Sequence, residues 1–238
     1  MSAQDSHPVT EVVSKLNDWL NAQFSQLEQL AQTLLEVVQL EGSERVSISG
    51  TARKHLRDAT AAFLSENTVA DGCGLIFASM VTENKQSGHL EWWVREDEQR
   101  FSRYSFGLIP GADRFYDYEH HEWFTRAYHD GAVSLVGPYI DYLGIEAYVV
   151  TLTVPAEIQG TRVGAIGCDI QVPDLERELL PILLKNETAL AVVGAHGHVL
   201  CSNSPKYLPG EYVAGDEGSV RWIPLEPAAT SLRLLVGQ

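Results

Sequence analysis

Residues 116–170 read YDYEHHEWFTRAYHDGAVSLVGPYIDYLGIEAYVVTLTVPAEIQGTRVGAIGCDI. An aromatic and charged loop comes first, with Tyr116, Tyr118, His121, Trp123 and Phe124 close together. A Gly-Pro-Tyr turn, containing Tyr139, is expected to deliver Asp141. Two apolar strands follow over 148–154 and 163–170, joined by a polar turn at Gln159 and Gly160, and the second strand carries Asp169 beside Cys168. A lone carboxylate set among β-branched and aromatic residues costs on the order of several kcal/mol to bury. Two such carboxylates framed by rings therefore mark a candidate pocket, suited to a small molecule with a positive end.

Working outward, residues 8–40 carry apolar side chains at Val13, Leu16, Leu20, Phe24, Leu27, Ala31, Leu34 and Val38, in steps of three and four. That is the spacing of one helical stripe. Pro8 suits a first turn and Gly42 a stop. The stripe serves either to pack the helix on its own domain or to form a dimer seam, because the steps also suit a coiled coil. A polar link over 41–50 leads to a second helix over 51–65, with Leu56, Ala59 and Phe63 inward. Residues 72–80 read as a central strand, and 90–95 with 101–106 as a hairpin. Trp92 and Trp93 are neighbours on one strand and so face opposite sides, one to the core and the other to a ligand or a covering helix. The connection over 107–136 is too long for a simple turn, and a short helix is expected inside it at 122–129.

Beyond Asp169, residues 173–184 predict a helix with Leu175, Leu179, Leu180 and Leu183 inward, kinked or ended early by Pro181. Four short strands follow, over 189–193, 198–202, 220–224 and 231–236, forming a small unit with no evident site. His196 and His198 flank its turn glycine and are expected in solvent.

The 238 residues hold 17 basic and 32 acidic side chains, a formal charge of −15. This excludes nucleic acid and anionic membrane as partners, since both need clustered Lys and Arg. No window approaches the ~18 apolar residues of a membrane span, and the first residues lack a secretory pattern. The three cysteines, Cys73, Cys168 and Cys201, fit neither a disulfide framework nor a zinc site by spacing. A cytoplasmic protein with reduced thiols is the expectation.

The order of elements resembles the double Cache sensor domain, and the likeness covers most of the chain. It is most specific over 116–180. There YDYEHHEWFTRA is similar to the family's Tyr, an Arg five residues on, then Trp-Tyr and Ala, while GPYID and VVTLTVPAEIQGTRVGAIGCDI look like its later strands. The resemblance implies an α+β fold: a long N-terminal helix, a PAS-like antiparallel sheet (the Cache module) and a smaller C-terminal β module. The expected division is 1–66, 67–184 and 185–238. In the amino-acid-binding branch, the Tyr, Arg and Trp hold a ligand carboxylate and two Asp hold the ammonium. By position these are Tyr116, Trp123, Asp141 and Asp169. His121 stands where the Arg belongs and Phe124 where the second Tyr belongs, so the bidentate guanidinium clamp is missing.

The site set read from the sequence is therefore Tyr116, Tyr118, His121, Trp123, Tyr139, Asp141 and Asp169. Rings of this kind hold a cation with about 0.5–2 kcal/mol each. A metal at His120 and His121 is not expected, because adjacent residues rarely reach one ion. Neither a cofactor nor catalysis is expected, since no nucleophile elbow, P-loop or dinucleotide fingerprint is present. The leading reading is a free-standing, soluble Cache sensor binding an amine or amino-acid-like molecule. The rival is a Cache fold without ligand, joining itself or a regulator through its N-terminal helix.

Overall fold

The computed structural model describes residues 6–41, 45–82, 89–104, 116–141, 147–214 and 220–237. Helix α1 spans Ser6–Leu35. Its buried stripe runs Val9, Val12, Leu16, Leu20, Phe24, Leu27, Ala31 and Leu34. Val12 rather than Val13 lies in the stripe, and Val38 reaches the core from beyond the helix end. The expected stop at Gly42 falls outside the described residues. The stripe is covered within the chain, because α1 packs against α2 (Gly50–Glu66), β7 (Tyr148–Ile158), β8 (Thr161–Gln171) and α4 (Val172–Leu183). The stripe therefore packs the helix on its own domain.

The polar link before α2 holds a small hairpin, β1 (Gln39–Glu41) with β2 (Arg45–Ser47). Helix α2 begins where the Ser49 hydroxyl accepts from the Ala52 N–H at 3.0 Å, satisfying one orphan donor of the first turn. It buries Ala52, Leu56, Thr60 and Leu64. Ala59 and Phe63 are only half-buried, so the inward face is turned by about one residue from the sequence expectation.

The main sheet has six antiparallel strands in the order β5-β4-β3-β8-β7-β6. They are β3 (Gly72–Phe77), β4 (His89–Arg95), β5 (Phe101–Tyr104), β6 (Ser134–Ile140), and the pair β7 and β8. The β7–β8 hairpin turns at Gln159 and Gly160, with φ of 51° and 79°. Two successive positive φ values match the right-handed twist of the strands, which favours a glycine in the turn. The Gly-Pro-Tyr segment corrects the expectation of a turn. It lies within edge strand β6, where the register shifts between Val136 and Tyr139. A proline is tolerated at a bulge on an edge, where no ladder N–H is required. Met80, expected in β3, is exposed on a short 3-10 turn after it.

The two faces of this sheet are covered differently. Arg53 of α2 reaches Glu91 of β4, placing α2 over the face that holds Glu91 and Trp93. Helix α3 (Glu122–Tyr128) lies on the opposite face, against β6, β7 and β8.

Helix α4 carries the chain away. It buries Leu175, Leu179 and Leu183 and leaves Leu180 half-buried. Pro181 sits in its last turn, and the helix closes two residues later. The second sheet has the order β10-β9-β12-β11: β9 (Leu190–Val193), β10 (Val199–Ser202), β11 (Arg221–Pro224) and β12 (Arg233–Val236). Asn203 at the end of β10 donates to the carbonyls of Leu183, Asn186 and Thr188 at 3.0–3.1 Å, closing the end of α4. One face of this sheet joins the main core through Leu190, Val192, Leu200 and Leu234.

Candidate ligand site

Strand periodicity puts Asp169, Thr151 and Gly72 in one row across the sheet, and Trp92, Gly74, Gly167 and Thr153 in the next. Both rows face α3. The Thr153 hydroxyl donates to the Trp123 carbonyl at 2.9 Å, fixing the first turn of α3 to the sheet. At the other end of α3, Arg162 donates to the Tyr128 carbonyl at 2.7 Å and also reaches that of His129.

Between sheet and helix lies a narrow cavity lined by Ile76, Trp92, Tyr116, Trp123, Tyr139, Asp141, Thr151 and Asp169. Its volume is about 20 Å³, room for one water-sized occupant. The Trp92 indole forms its floor. A Cβ on Gly72 would stand 2.9 Å from Trp92 Nε1, and one on Gly167 would stand 3.2 Å from Trp92 Cη2. Glycine at both positions is what lets the ring lie flat on the strands.

Asp169 is 9 % exposed. The Thr151 hydroxyl donates to its Oδ1 at 2.6 Å, and the Tyr139 hydroxyl lies 2.5 Å from that of Thr151. Burial pushes the Asp169 carboxyl up to about 7; the Thr151 hydrogen bond opposes this, and Asp141 and Asp71 add to it. Tyr116 and Tyr139 are also pushed up, first by burial and then by the two nearby carboxylates. No Lys or Arg is among the described residues lining the cavity. Trp123 presents a buried indole N–H with no acceptor in hydrogen-bond geometry among the described residues. The Trp123 N–H beside the Tyr116 phenol offsets part of that phenol's upward push.

Five of the seven residues read from the sequence border the cavity: Tyr116, Trp123, Tyr139, Asp141 and Asp169. Two do not. Tyr118 spends its hydroxyl on the Phe77 carbonyl at 2.6 Å and stacks behind Trp123, with centroids 6.5 Å apart. His121 stands just before α3, with its ring 5.0 Å from Tyr116 and 6.0 Å from Trp123. Burial lowers the His121 pKa, against the pull of Asp141 and Asp117. Tyr118 lies in the 3-10 turn Tyr118–His120 and His121 caps the start of α3, and neither ring is among those that line the cavity. Ile76 and Thr151 were not read as site residues. Only the pairing of Thr151 opposite Asp169 reveals its role, and no local pattern encodes that. Trp92 resolves the Trp pair: it faces the cavity, while Trp93 faces the helices.

Other titratable groups fall outside the site. His120 pairs with Asp117 at 2.9 Å on the surface. Among the described residues, no group of three or more His, Cys, Asp and Glu is placed to hold a metal. His196 is exposed as expected, but it is also paired, lying 2.5 Å from Glu122 of α3. His198 is half-buried against the Gly210 carbonyl at 3.1 Å.

An antiparallel sheet with a small cavity under a short helix, followed by a second smaller sheet, defines a PAS-like sensor module. The chain belongs to the methyl-accepting chemotaxis protein-like family of first PDC sensor domains, whose model matches residues 56–177, just over half of it. No curated protein matches the sequence. Among solved structures, "Methyl-accepting Chemotaxis protein X" is similar with a TM-score of 0.65 and 16% identity, over 98% of this chain and 95% of that one. The ligand-binding domain of Campylobacter jejuni chemoreceptor Tlp3 in complex with L-valine superposes with a TM-score of 0.64 and 12% identity, over 99% and 91%. That of Pseudomonas fluorescens chemoreceptor CtaA in complex with L-serine gives 0.57 and 16%, over 95% and 92%. At such identities the likeness is one of fold. The family makes this a ligand-binding sensor domain and not an enzyme.

Proposed function

We propose that the cavity under α3 takes a small amine or α-amino acid, with its ammonium group between Asp141 and Asp169. The observation that carries this reading is Asp169. It is a buried carboxyl held only by a hydroxyl among the described residues, in an aromatic enclosure that it shares with a second acid. A cation entering there meets charge with little competing water, and the low local dielectric strengthens the contact. The faces of Trp92, Trp123, Tyr116 and Tyr139 supply the walls. The Trp123 N–H, without a partner among the described residues, suits an acceptor on the far end of the guest. The amino acids bound by the Tlp3 and CtaA domains support the same chemical class. His121 in place of a guanidinium weakens the carboxylate end, so amines without a carboxylate compete on better terms here.

A thermal-shift series with L-serine, L-valine, their decarboxylated amines and simple carboxylates tests the reading. Amines or amino acids should raise the melting temperature, and Asp169→Ala or Asp141→Asn should abolish the rise. Stabilisation by carboxylates alone would reverse the proposed polarity. A second reading draws on the cavity volume of about 20 Å³. The chain's own side chains nearly fill the space, as they would in a Cache fold that serves as an interaction module. A guest larger than water needs some of the lining side chains to move. If no amine, amino acid or carboxylate shifts the melting curve, this second reading takes over.

A further inference from the structure

The sequence spacing of the cysteines conceals a pair. Cys73 of β3 and Cys168 of β8 stand directly opposite each other in the antiparallel ladder, in a register without irregularity from Gly72 to Phe77. The hydrogen-bonding parity of that ladder follows from the Ala78 N–H, which donates to the Val163 carbonyl at 2.9 Å. Pairs at even positions on β3 are therefore the hydrogen-bonded ones, and Cys73–Cys168 is a non-hydrogen-bonded pair. Such pairs bring their Cα atoms to about 4.5 Å with both side chains leaving the same face. Disulfides span Cα separations of about 4.4–6.8 Å. Each thiol is buried, and Cys73 responds to the charge of Cys168, as close neighbours do. Cys201 lies on β10 in the other sheet, with no cysteine opposite it.

We propose that Cys73 and Cys168 close a disulfide across β3 and β8 when the chain folds under oxidising conditions, while Cys201 stays a free thiol. The reaction is thiol–disulfide exchange with a small-molecule disulfide such as oxidised glutathione. One cysteine sulfur attacks a glutathione sulfur, forming a mixed disulfide and releasing one glutathione thiol. The second cysteine sulfur then displaces the other glutathione. Two electrons pass from the cysteine pair to the glutathione disulfide, and the two cysteine protons end on two glutathione thiols.

The exchange belongs to folding rather than to the folded state, because Cys73 and Cys168 are 0% and 4% exposed. Burial also raises both thiol pKa values, which suppresses the attacking thiolate. The same burial shields the finished bond from reductants. The bond would sit on the sheet face opposite the cavity. Cys168 directly precedes Asp169, and Cys73 lies between Gly72 and Gly74, so the link would tie together the two strands beneath Trp92. It closes a long loop, the arrangement in which a cross-link restricts the unfolded chain most.

The test uses the full chain, unfolded in denaturant with reductant and refolded in a glutathione redox buffer. Free thiols are alkylated, and the unreduced digest is mapped by mass spectrometry. The expected result is a Cys73 peptide joined to a Cys168 peptide and an alkylated Cys201. The oxidised protein should melt roughly 5–15 °C above its reduced form. Cys201→Ser should leave both results unchanged, and Cys168→Ala should remove both. Three alkylated thiols after oxidative refolding, or a link through Cys201, would overturn the proposal. Should Cys168→Ala fail to fold, the peptide map of the wild-type chain decides alone.

Discussion

Two carboxylates are buried in the pleats of the same sheet, on opposite faces, and the protein treats them oppositely. Glu91, fully buried beneath α2, receives Arg53 at 2.8 Å, His89 at 2.9 Å and Arg103 at 3.0 Å on one oxygen. Burial alone would raise its pKa, but these partners bring the net shift below the usual value. Asp169, on the α3 face, meets a threonine hydroxyl, and its carboxyl is pushed up to about 7. Neutralising groups supplied by the chain mark a structural acid. Among the described residues Asp169 meets only that hydroxyl inside an aromatic cavity, and this unmet demand for charge is what the proposed ammonium site rests on.

The strongest way to break this contrast is to remove the partners of Glu91. Arg53→Met with Arg103→Met leaves a buried carboxylate with His89 as its one remaining ionic partner among the described residues. Both guanidiniums are half-exposed, so the cost falls at the low end for a broken buried pair, about 3 kcal/mol in chemical denaturation. A neutral result would show that Glu91 is solvated rather than held by the chain.

The pH dependence sharpens the contrast, because the signs are opposite. Asp169 has a raised folded pKa, so its favourable contribution is complete below its unfolded value near 4. That contribution is lost as pH rises through about 7. Glu91 has a lowered folded pKa, so its contribution is present above about 4.5 and lost as acid titrates the folded state. Unliganded Asp169→Asn should therefore gain stability over the wild type between pH 4 and pH 8, by a few kcal/mol at the upper end. Ligand affinity in the wild type should rise with pH up to about 7 and level off above it, as measured by calorimetry. A flat difference across that range would mean that Asp169 is ionised without a guest.

A smaller effect is expected at Gly167. Its Cβ substituent would press on the Trp92 ring at 3.2 Å. Gly167→Ala should cost about 1–2 kcal/mol and tip the indole into the cavity. Amine affinity would then fall more than stability does. Smallest of all is the link between α3 and the second sheet. His196 and Glu122 are both exposed, and His196→Asn should change stability by no more than about 0.5 kcal/mol.

Much of this was legible in the sequence, for a common reason. The α1 stripe, the 90–95 strand, the turn at Gln159 and Gly160, and the α4 face each depend on residues near one another along the chain. Local periodicity and turn chemistry are written at that range. The resemblance over 116–180 added Tyr116, Trp123, Asp141 and Asp169 as one site. Other features depend on register between distant segments. Thr151 opposite Asp169, Trp92 over Gly72 and Gly167, the two arginines on Glu91, and Cys73 facing Cys168 are all of that kind. A shift of one residue in any pairing would turn those side chains to the other face. The sequence by itself determined most of the helices and strands, though not the β1–β2 hairpin or the strand at Gly-Pro-Tyr, and its family resemblance put the two acids together. Only the tertiary structure decided which buried acid is neutralised and which is left waiting, because that choice is made across the sheet.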